Sequence, residues 1–139
     1  MSIAVLCDFD ETISLDNIAH LILDRFGDRS WRNLRRRYLD GIIPPEEYFE
    51  QPFTQMQASQ REIYSYVQEK GRIRDGFSDL AQYCQGKGIT IAIVSLGLDF
   101  YIKALISQHG MGWIPIYAIS TIIKKTGMEF RFPYSNKNC

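Results

Sequence analysis

The chain has 139 residues, 16 basic and 16 acidic, so its formal net charge is zero. No excess of either sign points to nucleic acid or to an anionic membrane surface as partner. With 45% hydrophobic and 13% aromatic residues, the composition suits one globular domain with room for a small subdomain. No apolar run approaches the roughly 20 residues that span a bilayer, and no basic segment followed by an apolar one marks a secretion signal.

Residues 3–7, Ile-Ala-Val-Leu-Cys, form a short apolar run that stops at Asp8 and Asp10. The run predicts a strand buried on both faces, because alternation is absent. A helix follows over 15–26, with Ile18, Leu21, Ile22 and Phe26 at helical spacing and Gly27 as its stop. Ser30 is placed to cap a second helix, 31–39, which carries Trp31, Leu34 and Tyr38 on one face and the basic cluster Arg35, Arg36, Arg37. Pro45 suits the first turn of a third helix over 45–53. A fourth covers 58–69, with Ile63, Tyr66 and Val67 inward. Asp75 is a candidate cap for a helix to about residue 85. The β-branched run 89–94 is a second buried strand, followed by a turn at Ser95-Leu96-Gly97. A helix over 99–109, a strand over 115–120 and a hairpin joining 119–124 to 128–132 complete the pattern, and a polar loop follows.

Strands alternating with helices predict an α/β fold with a parallel, Rossmann-like sheet. About sixty mainly helical residues stand between the first strand and the helix before the second, a layout that reads as an inserted lid able to exclude water and choose a substrate. The cysteines at 7, 84 and 139 lack metal-ligand spacing. Cys7 and Cys84 read as reduced, packed thiols of a cytoplasmic protein. His20 and His109 read as structural.

Asp8 and Asp10 fall at the carboxyl end of the first strand, where open α/β sheets place their ligands. Two carboxylates one residue apart repel each other, and a cation or a proton-transfer role offsets that cost. The plain alternative has Asp10 or Thr12 only starting the next helix. Ser95 ends the second strand as Asp8 ends the first. A hydroxyl there, followed by Gly97 and a helix N-terminus, makes an anion cradle; the plain alternative is a cap or turn residue.

Asp8-Phe9-Asp10-Glu11-Thr12 resembles the DxDxT motif of the haloacid dehalogenase superfamily of phosphatases, and Val94-Ser95-Leu96-Gly97 resembles that family's second motif, a hydroxyl residue closing the second core strand. The helical insertion is similar to the first type of cap in that family, as in phosphoserine phosphatase. The run through Asp75-Gly76-Phe77, Ser95-x-Gly97 and Asp99-Phe100 resembles the branch of methylthiopentenyl-phosphate and phosphocholine-type phosphatases. The resemblance implies a partial α/β core over 1–13 and 72–139 with a helical cap over 14–71. It implies that Asp8 is the nucleophile and that Asp10 is the acid/base. It further implies that Thr12 supports the loop, that Ser95 with the Leu96 and Gly97 backbone binds phosphate, and that Mg²⁺ is held by the Asp8 carboxylate and the Asp10 carbonyl. The substrate it implies is a small phosphorylated metabolite.

The family also uses a lysine after the third strand and an acidic Gly-Asp loop after the fourth. No Gly-Asp-x-x-x-Asp occurs after residue 120. Lys124, Lys125 and Lys137 are the candidate lysines, the first two reading as solvated turn residues. The expectation is a fragment of a longer phosphatase, weak or inactive alone, with an open sheet edge that invites self-association. Two other readings stand: a non-catalytic phosphate-binding remnant and a receiver-like phospho-acceptor.

Overall fold

A computed structural model describes residues 2–124 and 127–134. Four strands form one sheet in the order β1-β2-β3-β4, with β1 (Ala4–Cys7), β2 (Thr90–Leu98), β3 (Ile116–Lys124) and β4 (Gly127–Arg131). β1 and β2 pair in parallel with Cys7 opposite Ile93, β2 and β3 pair in parallel, and β4 returns antiparallel along β3. The fold is therefore mixed α/β with a mostly parallel sheet, as the alternation of elements predicts. The two strands expected over 115–124 are one continuous strand, whose first half serves β2 and whose second half serves β4.

Six helices accompany the sheet: α1 (Ile18–Phe26), α2 (Trp31–Leu39), α3 (Pro45–Thr54), α4 (Gln60–Lys70), α5 (Phe77–Lys87) and α6 (Asp99–Gln108). Local chemistry explains their ends. Asn17 caps α1 through its side-chain oxygen, which accepts from the His20 amide, so the helix begins three residues later than its apolar spacing suggests. Ser59 and Glu62 form a reciprocal capping box on α4. Ser30 stands at the N-cap of α2, but its side chain makes no capping bond; its own amide donates to Asp28 Oδ1 at 2.7 Å. Asp75 does not cap α5 either. Gly76 takes that place at φ 84°, a left-handed conformation that glycine adopts without strain.

α6 turns a broad apolar face inward, with Phe100, Tyr101, Ile102, Ala104, Leu105 and Ile106 buried and Lys103, Ser107 and Gln108 exposed. Such a face belongs against a core. It packs against β2, β3 and α4. One hydrophobic cluster accordingly runs from Ile91 and Ile93 of the sheet through α6 to Ile63 and Val67 of α4 and Ile22 of α1. A small second cluster joins α2 and α3 through Leu34, Ile43 and Tyr48.

Two further expectations fail. β1 is not buried on both faces: it lies at the end of the sheet, and its Leu6 is 67% exposed. Leu6, Val94 and Tyr117 stand exposed on the sheet, so β1 has the composition of a central strand in an edge position. The second correction concerns Ser95-Leu96-Gly97. These residues are not a turn; they continue β2 as an irregular stretch, where the register with β3 slips between Val94 and Leu98. A bulge of this kind re-aims side chains next to a site.

Candidate active site

The backbone after β1 makes a tight turn over Phe9–Ile13, closed by the Ser14 amide donating to the Phe9 carbonyl at 3.0 Å. Glu11 within it takes φ 62°, a strained conformation for a residue with a Cβ. Arg74 holds that strain in place: its guanidinium donates to the Thr12 carbonyl at 2.7 Å and to the Glu11 carbonyl at 3.0 Å, while its amide donates to the Ile13 carbonyl. Next to it Ser14 bridges Ile73, and Arg72 forms a two-pronged ion pair with Asp16. The two ends of the helical stretch α1–α4 thus leave the core side by side.

The turn directs Asp8 and Asp10 into a cavity of about 410 Å³. Asp8 is exposed, and its Oδ2 accepts from the Thr12 hydroxyl at 3.3 Å. Asp10 is half-buried and anchored through both oxygens: Oδ1 accepts from the Ile18 amide and Oδ2 from the Tyr101 hydroxyl, each at 2.7 Å. Burial of the Asp10 carboxyl raises its pKa to about 6, against the opposing pull of those two hydrogen bonds, and the neighbouring Asp8 adds to the rise.

Ser95, Leu96 and Gly97 line the same cavity. The Ser95 Oγ accepts from the Gly97 amide at 2.9 Å, so that amide is already engaged locally. Gly97 is glycine for a steric reason. A Cβ there meets the Tyr101 hydroxyl at 2.0 Å and Asp10 Oδ2 at 2.8 Å. All the candidate site residues therefore converge, with Thr12 reaching the cavity through Asp8.

The far wall comes from α1–α3. His20, Arg35, Tyr38, Tyr48 and Phe49 face Asp8 and Asp10 across the opening. Tyr38 and Tyr48 stack with centroids 4.8 Å apart and rings 1° from parallel. His20 Nε2 lies 3.3 Å from the Tyr48 hydroxyl and its ring stacks on Trp31. Burial and then Arg35 lower the His20 pKa, so the ring is neutral near pH 7. Of the three consecutive arginines, Arg35 alone lines the cavity among the described residues. His109, by contrast, bonds the Leu105 carbonyl and is structural.

Lys124 lies away from the carboxylates, paired with Glu129 across the hairpin. It lines a different cavity of about 600 Å³ beside residues 53–60, which has no other ionisable side chain among the described residues. Lys125, Lys137 and Cys139 fall outside the described residues. Sequence reasoning missed two residues, Arg74 and Tyr101. Nothing local marks Arg74. Tyr101 does have a signal, because a tyrosine inside an apolar helix needs a partner for its hydroxyl.

The carboxyl of Asp10 carries a stability consequence. Its folded-state pKa of about 6 lies above the ordinary 3.8, so the folded chain holds this proton more tightly than the unfolded one. The resulting stabilisation is complete below about pH 4 and is lost as pH rises through about 6. Asp10→Asn should therefore be more stable than wild type at neutral pH, by on the order of 1–2 kcal/mol, with the gap closing towards about pH 4. Urea unfolding at the two pH values measures it, and a gap that widens on acidification contradicts the assignment.

Comparison with known proteins bears on the family and the fold. The chain is 31% identical over 117 residues to a 2-hydroxy-3-keto-5-methylthiopentenyl-1-phosphate phosphatase of Brevibacillus brevis, covering 83% of this chain and 52% of that protein. A protein of the same name from Exiguobacterium is 30% identical over 78% of this chain and 51% of its own length. The chain thus spans about half the length of these relatives. Among solved structures, phosphoserine phosphatase from T. onnurineus superposes with a TM-score of 0.72 at 14% identity, covering 99% of this chain and 67% of that one. A haloacid dehalogenase family hydrolase from Salmonella enterica superposes with a TM-score of 0.77 at 14% identity, covering 94% and 45%. The family model for haloacid dehalogenase-like hydrolases matches residues 5–133, and the chain belongs to that family.

Proposed function

We propose that this chain forms the phosphoryl-accepting part of a magnesium-dependent phosphomonoesterase acting on a small phosphorylated metabolite. The observation that carries the proposal is the convergence of Asp8, Asp10 and the Ser95 bulge on one cavity under an aromatic wall. Residues 14–71 serve as the cap and residues 1–13 and 72–139 as the core.

The donors suit a hard cation. Asp8 offers an exposed carboxylate and Asp10 a backbone carbonyl. Mg²⁺ characteristically takes one or two carboxylates, keeps several waters and adds substrate phosphate oxygens. Bound there, it would neutralise charge on the reacting phosphate. No group of three or more His, Cys, Asp or Glu side chains forms a fuller cage among the described residues.

Asp8 Oδ1, left free by the Thr12 bond to Oδ2, attacks phosphorus and displaces the alcohol. Asp10 gives its proton to the departing oxygen. The same carboxylate then takes a proton from the water that cleaves phospho-Asp8, releasing inorganic phosphate and regenerating Asp8. Ser95 and the Leu96 backbone receive a phosphate oxygen. The stacked Tyr38–Tyr48 pair and Phe49 favour a leaving group with an apolar portion, in keeping with the methylthiopentenyl phosphate named for the relatives.

No lysine is among the described residues lining the cavity, which supports weak turnover by these residues alone. Beryllofluoride with magnesium is the direct test: it should occupy Asp8 and be read as a bound-fluoride signal by NMR. Failure to bind returns the chain to a non-catalytic remnant. Binding together with hydrolysis of any of a panel of phosphomonoesters excludes a receiver-like acceptor.

No described helix is long and apolar enough to cross a membrane, and the free thiols of Cys7 and Cys84 support a cytoplasmic setting. Self-association is also expected. Ile3, just before the edge strand β1, and Leu6 within it are 61% and 67% exposed, and such an edge templates pairing with another chain. Light scattering should show oligomers that Leu6→Lys disperses; a wild type monomeric at high concentration sinks this expectation.

A further inference from the structure

We infer that Tyr101 is a positioning residue for proton transfer, fixing the Asp10 carboxyl for the leaving group, and that Gly97 is glycine to admit its hydroxyl. The inference rests on the reading of Asp10 as proton donor.

Tyr101 is fully buried, at 0% exposure, among the apolar residues of α6 that face the core. Its hydroxyl donates to Asp10 Oδ2 at 2.7 Å. Asp10 Oδ1 is held from the opposite side by the Ile18 amide. A carboxyl group has about four lone-pair sites. Two donors from fixed elements therefore set its plane and leave the remaining sites for the transferable proton. Catalytic groups lose efficiency when misplaced by small distances, so a second contact of this kind matters out of proportion to its size. The aromatic ring is itself locked, against Phe9 at 6.2 Å and Phe100 at 5.5 Å.

Gly97 completes the argument. Its place in the Ser95 bulge invites the reading of a phosphate-cradling glycine. The contacts of a virtual Cβ say otherwise, because the first atoms met are the Tyr101 hydroxyl and Asp10 Oδ2. The glycine keeps open the passage through which α6 reaches Asp10.

The role predicts a dependence on leaving group that a packing role does not produce. An alkyl phosphate needs its leaving oxygen protonated, whereas p-nitrophenolate departs without that help. In the full chain with magnesium, Tyr101→Phe should lower the ratio of alkyl-ester to p-nitrophenyl-ester kcat/KM by about 10-fold or more. Asp10→Asn should lower the same ratio further. Equal losses on both esters, or none, in Tyr101→Phe alongside a fallen ratio in Asp10→Asn overturn the inference and leave the role of Asp10 standing. An unchanged ratio in Asp10→Asn overturns the proton-donor reading and the inference with it. Gly97→Ala, whose Cβ meets the Tyr101 hydroxyl, Asp10 Oδ2 and the ring carbon bearing the hydroxyl, disturbs both partners of the bond and should lower the ratio as well; the readout that follows needs no Tyr101 variant and serves if Tyr101→Phe does not fold. A readout free of turnover is the Tyr101 hydroxyl proton in NMR. It should exchange slowly in wild type and in Asp8→Ala, and rapidly in Asp10→Ala; rapid exchange in wild type overturns the geometry.

Discussion

Asp8→Asn is expected to abolish beryllofluoride binding and to reduce phosphomonoester hydrolysis by about 10⁴-fold or more, the scale seen when a nucleophile is removed from a site acting as a unit. The variant keeps the shape of the side chain and its bond from Thr12, so the folded state should be undisturbed. The loss arises because an amide is a poor phosphoryl acceptor and no longer balances a divalent cation. Asp8 is exposed and its only side-chain hydrogen bond among the described residues is from Thr12, at 3.3 Å. Circular dichroism and the thermal midpoint should match wild type, while the fluoride signal disappears. Retained binding in Asp8→Asn would move the acceptor away from Asp8 and undo the assignment of both carboxylates.

The second large effect is on stability. Phe100→Ala should cost about 3–5 kcal/mol, a major part of the 5–15 kcal/mol that holds an ordinary domain together. Phe100 is 4% exposed. Its ring meets Phe53 of α3 at 6.5 Å edge-on, Tyr64 of α4 at 6.1 Å and Tyr101 of its own helix. It is therefore a keystone between the inserted helices and the sheet-bound helix. Denaturant unfolding should show a lower midpoint, and native-state hydrogen exchange should quicken in α3 and α4 as well as in α6. A loss confined to α6 would mean that the inserted helices hold themselves together independently.

The elements of the fold were legible because each carries its own local signal. The 3.6-residue spacing of α1 and α4, the β-branched run of β2, and the stop at Gly27 follow from short-range chemistry. What failed depended on neighbours in space. β1 reads as buried because Ile3 to Cys7 are apolar, yet burial depends on what lies beside a strand, and here one side is open. Ser95 to Gly97 reads as a turn from its serine and glycine, while pairing of Val94 and Leu98 with β3 on either side keeps the stretch within the strand. At the site, Asp8, Asp10 and Ser95 were legible through motif and position. Tyr101 lies 91 residues from Asp10, and Arg74 reaches carbonyls 62 and 63 residues away. Those contacts exist only once α6 for Tyr101, and the Ser14–Ile73 bridge for Arg74, have brought distant segments together, so no spacing rule could announce them.

The side-by-side bridge of Ser14 and Ile73 bears on how the pocket can open. Under the proposed reading of 14–71 as a cap, that pair of adjacent crossings would be its hinge, like the pin of a door. Arg74 stands beside it and grips the carbonyls of Glu11 and Thr12, so a swing of the proposed cap would pull on the turn that carries Asp8 and Asp10.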